Sequence, residues 1–154
     1  GRKSLDEFRD IHLRRWSKFA EQALLNDNIY IFECAFLQNH IFELLGVYEK
    51  SDEEIYLYLK SLLETVKSLS PSIVYIEPSS VEDIIIQAAN ESKSPEGSRP
   101  DWIDEVANWV SNMNFGKSHN LKGIEGVFYF CKERLRIDKL MIEKLNVPVT
   151  IIKR

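Results

Sequence analysis

The sequence predicts an α/β domain, a three-layer sandwich in which a mainly parallel sheet lies between helices on both faces. Three short apolar runs, over residues 29–32, 73–77 and 147–152, have the composition of strands that are buried on both faces. Long segments with helical spacing separate these runs, and parallel neighbours need such crossover connections. With 154 residues, 44% of them hydrophobic, the chain fits one domain with one core, spanning residues 1–154.

The first half of the chain predicts one strand among three helices. The predicted elements are, in order, a helix over residues 4–25, a strand over 29–32 and helices over 37–45 and 52–69. Ser4 and Glu7 have the spacing of a capping box at the start of the first helix. Glu33 closes the strand, so its carboxylate is expected at the carboxyl end of the sheet.

The second half predicts two strands and three helices. The predicted elements are a strand over 73–77, a helix from residue 81, a loop over 91–101, a helix over 102–113, a long helix after a turn at 116–123, and a strand over 147–152. Pro78 stops the first of these strands, and Ser79 or Ser80 can cap the helix that follows. Asp101 is the predicted cap of the next helix.

Charge and composition narrow the class of protein. The net charge of −4 comes from interspersed acidic and basic residues, which disfavours a non-specific nucleic-acid binder. No apolar run approaches the roughly 20 residues that span a bilayer, and no signal peptide precedes the charged opening, so a cytoplasmic protein without a membrane partner is expected. Cys34 and Cys131 lack zinc or disulfide spacing and are predicted to be reduced core thiols. The sequence leaves homo-oligomer formation open.

The order of elements resembles that of the P-loop kinases, within the small-molecule and nucleoside-monophosphate kinase group. It comprises a buried strand ending in an acidic residue, a later strand, a helix, a basic loop, an arginine-bearing helix and a short final strand. The resemblance covers residues 29–153. The defining loop of that family, G-x-x-x-x-G-K-[ST], is absent, and the opening Gly-Arg-Lys-Ser matches only its end. We therefore expect the loop-bearing strand to be supplied by upstream residues or by another chain.

The resemblance implies ATP and magnesium as cofactors, a small-molecule phosphate acceptor, and roles for five residues. Glu33 would be catalytic and would hold magnesium, through a bound water, or orient the acceptor. Arg99 lies in the tract that takes the place of the lid and would be a catalytic, phosphate-facing cation. Gln38 would contact the acceptor, and Arg134 and Arg136 would be further phosphate contacts.

Each of these residues also has an explanation that involves no ligand. Glu33 can be a solvated carboxylate at a strand end, Gln38 a surface amide, and Arg99 a solvated loop charge. The two helical arginines, together with neighbouring lysines, can form a solvated helix face.

The chain as a whole has an alternative function, a non-catalytic binding protein on a kinase-like scaffold. Trp16, Trp102 and Trp109 would then line a partner site, although their apolar helical patterns favour core positions.

Two geometric expectations follow from the resemblance. Glu33 and Arg99 should face one cleft at the carboxyl edge of the sheet. The loop-bearing strand should lie between the strands that contain Ile31 and Val74, so these two strands should not pair directly. A gap there would leave buried backbone groups unsatisfied, at about 1 to 3 kcal/mol for each group.

Overall fold

The computed structural model describes residues 3–93 and 101–153. The elements before residue 94 are α1 (Leu5–Ala23), α2 (Gln38–Phe42), a π-helical turn (Glu43–Val47), α3 (Asp52–Val66), a 3-10 turn (Lys67–Leu69), β1 (Ile73–Glu77) and α4 (Val81–Glu91). Those after it are α5 (Trp102–Asn112), α6 (Asn114–Ser118), α7 (Gly123–Lys144) and β2 (Val149–Lys153). The short helix α6 occupies part of the region that the sequence predicts as a turn.

Three helices begin where a serine can accept a hydrogen bond from the first turn. Ser4 accepts from the N–H of Glu7, and the Glu7 carboxylate accepts from the N–H of Ser4, so the predicted capping box is confirmed. A second capping box starts α3. Ser80 caps α4 by accepting from the N–H of Asp83, which decides between the two predicted serines.

The sheet consists of two parallel strands among the residues described. β1 and β2 pair in register from Ile73 opposite Val149 to Glu77 opposite Lys153, and the N–H of Ile73 donates to the carbonyl of Pro148 at 2.8 Å. Helices connect the two strands, as parallel pairing requires. The prediction of an α/β domain with parallel strands is therefore confirmed, but the predicted three-layer sandwich is not seen in the described part of the chain.

The outer edge of β1 has no strand partner among the described residues. Backbone groups of successive strand residues point to opposite edges, and Ile73 points toward β2, so Val74 and Ile76 direct their N–H and C=O groups away from β2. Their side chains are also 63% and 59% exposed. An uncovered apolar strand edge of this kind is ordinarily paired or protected in folded proteins.

The predicted strand over residues 29–32 is wrong. This segment forms no strand, and Ile29 and Ile31 are 90% and 91% exposed. The rings of Tyr30 and Phe32 instead pack against Phe19 of α1, at centroid distances of 5.0 and 4.9 Å. The physical reason is pairing: a strand needs a neighbour for its backbone groups, and no described residue pairs with 29–32.

The expected strand order can be compared with the observed pairing only in part. No ladder joins the segment of Ile31 to that of Val74 within residues 3–93 and 101–153. The strand expected between them stays a prediction.

The core lies mainly among the helices, and Ile73 and Tyr75 of β1 pack against it. Its fully buried members include Ile41, Leu59, Met113, Phe130 and Met141, contributed by α2, α3, α7 and the end of α5.

The tryptophans and cysteines flank this core to different degrees. Trp16 is half-buried against it, whereas Trp109 is 39% exposed and stacks on Phe42 at 4.1 Å. Cys34 is exposed, so its prediction as a core thiol is wrong. Cys131 is partly buried, and burial raises the pKa of its thiol.

None of the helices in the described ranges has the length and apolar character needed to cross a membrane.

Candidate functional site

The carboxyl edge of the two parallel strands is the place where a ligand is expected, because open parallel sheets bind ligands beyond the carboxyl ends of their strands. Helix α7 leads into β2 and therefore runs back along the sheet, so its earlier residues lie toward this edge. Lys139 marks the level of the edge, since its Nζ lies 2.5 Å from the carboxylate of Glu77 at the end of β1. The Cα of Arg134 lies about 7.5 Å further along the helix axis in the same direction, and its guanidinium extends back toward Asp138.

Two lysines at this edge are already paired with carboxylates. Lys139 pairs with Glu77, and Lys132 pairs with Glu82 in the first turn of α4. The hydrogen bond from each lysine lowers the pKa of its carboxyl partner. Ion pairs as exposed as these contribute little to stability. Their consequence for the site is that both lysine charges are largely neutralised.

Arg134 is different, because its guanidinium makes no hydrogen bond to a residue that the structure describes. Its Nη2 lies 3.9 Å from Oδ2 of Asp138, which is close enough for charge attraction but too far for a hydrogen bond. Its guanidinium donates no hydrogen bond to any residue of the described ranges, and its side chain is 22% exposed. A guanidinium with free donors at the carboxyl edge can receive an anion through its fork of N–H groups.

Asp138 and Tyr75 lie beneath this arginine. Asp138 is only 2% exposed, and its Oδ2 accepts a hydrogen bond from the hydroxyl of Tyr75 at 3.3 Å. Its Oδ1 has no partner among the described residues. Burial raises the pKa of the Asp138 carboxyl, and Arg134 and the Tyr75 hydroxyl oppose this rise. Burial likewise raises the pKa of Tyr75.

Gln38 contacts Cys34, the residue that follows Glu33, at one turn. Glu33 is exposed in a bend after the extended segment, and within the described ranges it makes no hydrogen bond or ion pair. The next residue, Cys34, has a left-handed backbone with φ of 59°, and its Sγ donates to Oε1 of Gln38 at 3.3 Å. Arg99 lies outside the described residues, so the cleft expected between Glu33 and Arg99 stays a prediction.

Arg136 occupies a different surface from Arg134. The two residues are two positions apart on α7 and so point about 200° apart around the helix axis. Both terminal nitrogens of Arg136 donate to Asp52 at 2.8 Å, and the guanidinium also bonds Glu133. The hydrogen bonds to Asp52 raise the pKa of Arg136. This arginine joins α7 to the first turn of α3, and its donors are engaged by carboxylates.

The resemblance implies magnesium and ATP as cofactors, and the residues present suit magnesium better than ATP. No three His, Cys, Asp or Glu side chains in the described ranges are grouped closely enough to hold a metal ion by themselves. Magnesium at phosphoryl-transfer sites needs only one or two carboxylates in addition to the substrate phosphates, and the free Glu33 carboxylate suits that smaller role. ATP fits less well, because the 154 residues contain no G-x-x-x-x-G-K-[ST] loop to surround its phosphates.

Sequence reasoning identified Arg134 but missed Asp138 and Tyr75. One signal was available: Arg134, Asp138 and Met141 follow each other at four and three positions, so a carboxylate lies within the apolar stripe of α7. A charged residue in such a stripe is a candidate for a buried, partnered group. The contact with Tyr75 crosses 63 positions of sequence and had no local signal.

Fold and site together define a helix-rich α/β protein with a parallel strand pair and an arginine at the carboxyl edge of that pair. Comparisons with protein-family models, curated proteins and solved structures give no match for the chain.

Proposed function

We propose that the chain is the acceptor, lid and closing part of an ATP-dependent phosphotransferase that acts on a nucleotide or another small molecule with magnesium. The observation that carries this proposal is Arg134, a partly exposed cation with free donors at the carboxyl edge. Arginine binds phosphate oxygens through paired, charge-assisted hydrogen bonds, which suits it to that position. In the proposal, Glu33 serves magnesium, Gln38 contacts the acceptor, and Arg99 faces the phosphates from the lid.

The sheet supports the same proposal. A further strand beside β1 would satisfy the outward-facing backbone groups of Val74 and Ile76. We propose that this strand carries the phosphate-binding loop. The loop would then open at the carboxyl edge, on the same side of the sheet as Arg134.

The chain of 154 residues is expected to transfer no phosphoryl group from ATP, because backbone donors and a loop lysine around the phosphates supply most of the catalysis in this class of enzyme. Release of ADP and phosphate, followed with radiolabelled ATP, should equal the rate without protein. Glu33→Gln should leave that background unchanged. Turnover that Glu33→Gln abolished would contradict this expectation, while supporting the role of Glu33.

Weak binding of phosphate compounds should survive and should depend on Arg134. In an NMR titration with inorganic pyrophosphate, Arg134→Gln is expected to weaken binding at least tenfold, the scale of one charge-assisted hydrogen bond. The matched control is Arg9→Gln, which removes an exposed arginine of α1 with the same change of charge and lies outside the pocket that Lys3, Arg14 and Arg15 line. Equal affinities for the two variants would contradict the role of Arg134.

A second candidate function is a non-catalytic binding protein on a similar scaffold. It is favoured by the exposure of apolar side chains near the end of α1 and after it, where Leu25, Ile29 and Ile31 are 85%, 90% and 91% exposed. Contiguous exposed apolar groups mark protein interaction surfaces. The pyrophosphate titration separates the two candidates, since this second function requires no anion at Arg134.

A further inference from the structure

Burial of the Asp138 carboxylate costs free energy that a purely structural role does not explain. Transfer of a carboxylate from water to a site with 2% exposure is unfavourable unless hydrogen bonds and charges compensate for it. Here Asp138 receives one hydrogen bond, from Tyr75, and its Oδ1 has no partner among the described residues. An unsatisfied buried oxygen of this kind needs an explanation beyond packing.

The other carboxylate oxygen, Oδ2, faces both Tyr75 and Arg134. Asp138 lies four positions after Arg134, so both side chains project from one face of α7. Their separation of 3.9 Å attracts the guanidinium without using any of its N–H donors. Tyr75 in turn holds Oδ2 from the strand, which fixes the carboxylate relative to the edge of the sheet.

We infer that Asp138, held by Tyr75, is a positioning residue that fixes the Arg134 guanidinium at the carboxyl edge with its donors free for a phosphate-type anion. This inference rests on the proposed function and adds to it the residue that orients the anion-binding group. Arg136 illustrates the contrast: its carboxylate partners lie at 2.8 Å and use its donors.

A double-mutant cycle with inorganic pyrophosphate tests the inference. Affinities are measured by NMR titration for the unmodified chain, Asp138→Asn, Arg134→Gln and the double variant. Asp138→Asn keeps the shape of the side chain and its acceptor oxygen, and it should weaken binding about fivefold, within the usual range for coupled neighbours. In the Arg134→Gln background the same substitution should change nothing, because it acts only through the arginine.

The alternatives give different results. If Asp138→Asn weakens binding equally in both backgrounds, its role is generally structural. If Asp138→Asn tightens binding, the carboxylate merely repels the anion. Either result overturns the inference. If Arg134→Gln weakens binding and Asp138→Asn does not, this inference alone fails. If Arg134→Gln has no effect, the anion site of the proposed function fails and the inference fails with it.

Two controls keep the cycle interpretable. Glu143→Gln removes an exposed carboxylate of α7 and should leave pyrophosphate affinity unchanged. If Asp138→Asn does not fold, Tyr75→Phe replaces it, because it releases Oδ2 while both charges remain. That variant should weaken binding in the same direction, and an unchanged affinity would overturn the inference.

Discussion

Gly116→Ala is expected to lower the free energy of unfolding by about 3 kcal/mol or more, as severe overpacking does. A Cβ atom at position 116 would lie 1.9 Å from the carbonyl oxygen of Val110 and 3.1 Å from the Cα of Ser111. Both contacts are with backbone of α5, which cannot rotate away as a side chain can. The methyl group would therefore separate α6 from α5 at a buried position. Urea denaturation of the two proteins measures the loss.

Two other glycines provide the controls. Gly46→Ala would meet the Sδ of Met113 at 2.6 Å, a flexible but fully buried side chain, so an intermediate loss is expected. Gly123 has open space around its Cβ position and a φ of +57°, so alanine there should cost only the left-handed strain of about 1 kcal/mol. If Gly123→Ala proved the most destabilising of the three substitutions, the contact between α5 and α6 would be contradicted.

Acid is expected to destabilise the protein through His40, by about 3 kcal/mol at pH 4 relative to neutral pH. The ring of His40 is 3% exposed, and its Nδ1 lies 3.1 Å from the hydroxyl of Tyr58. Burial lowers the pKa of His40 from 6.5 to about 4, and the ring of His12 at 4.8 Å adds to the effect. Between these pH values the unfolded chain binds the proton that the folded chain excludes. The stability is therefore complete above pH 6.5 and is lost as the pH falls toward 4.

The variant His40→Gln isolates this effect. Its stability at pH 7 is lower because the buried ring is lost, but its decline between pH 6.5 and 4 should be shallower than that of the unmodified chain. His119→Gln is the matched control, since it removes an exposed histidine and leaves both the buried ring and its neighbour His12 in place. Denaturation midpoints across this range give the slopes. Identical slopes for the unmodified chain and His40→Gln would contradict burial of a neutral imidazole.

Local signals in the sequence predicted the helices and one strand well. The capping pair Ser4 and Glu7, and the serines before α3 and α4, act within one turn and can be read from spacing alone. Residues 73–77 were predicted with the bounds that the structure shows. Residues 29–32 are similarly apolar but form no strand. Strand formation depends on a neighbouring strand, and a local pattern contains no information about that neighbour.

Less of the candidate site than of the fold could be predicted from the sequence. Arg134 and Arg136 look equivalent in sequence, and only the helix geometry and the position of Asp52 separate a free guanidinium from an engaged one. The partnership of Asp138 with Tyr75 depends on the packing of α7 against β1, which sequence spacing does not contain. Arg99 stays a prediction, because it lies outside the described residues.

The central claim is that the carboxyl edge of the parallel strands binds phosphate groups. Mapping amide and arginine side-chain shifts during a pyrophosphate titration tests it most directly, because the opposite edge offers a competing cationic surface. There Lys60 lines a pocket with Lys67 and Lys144, which pair with Glu64 and Glu53, next to the residues that precede the two strands. We predict shifts centred on Arg134 and the end of β1 at Glu77. Shifts centred on the lysine pocket, or none at Arg134, would contradict the claim.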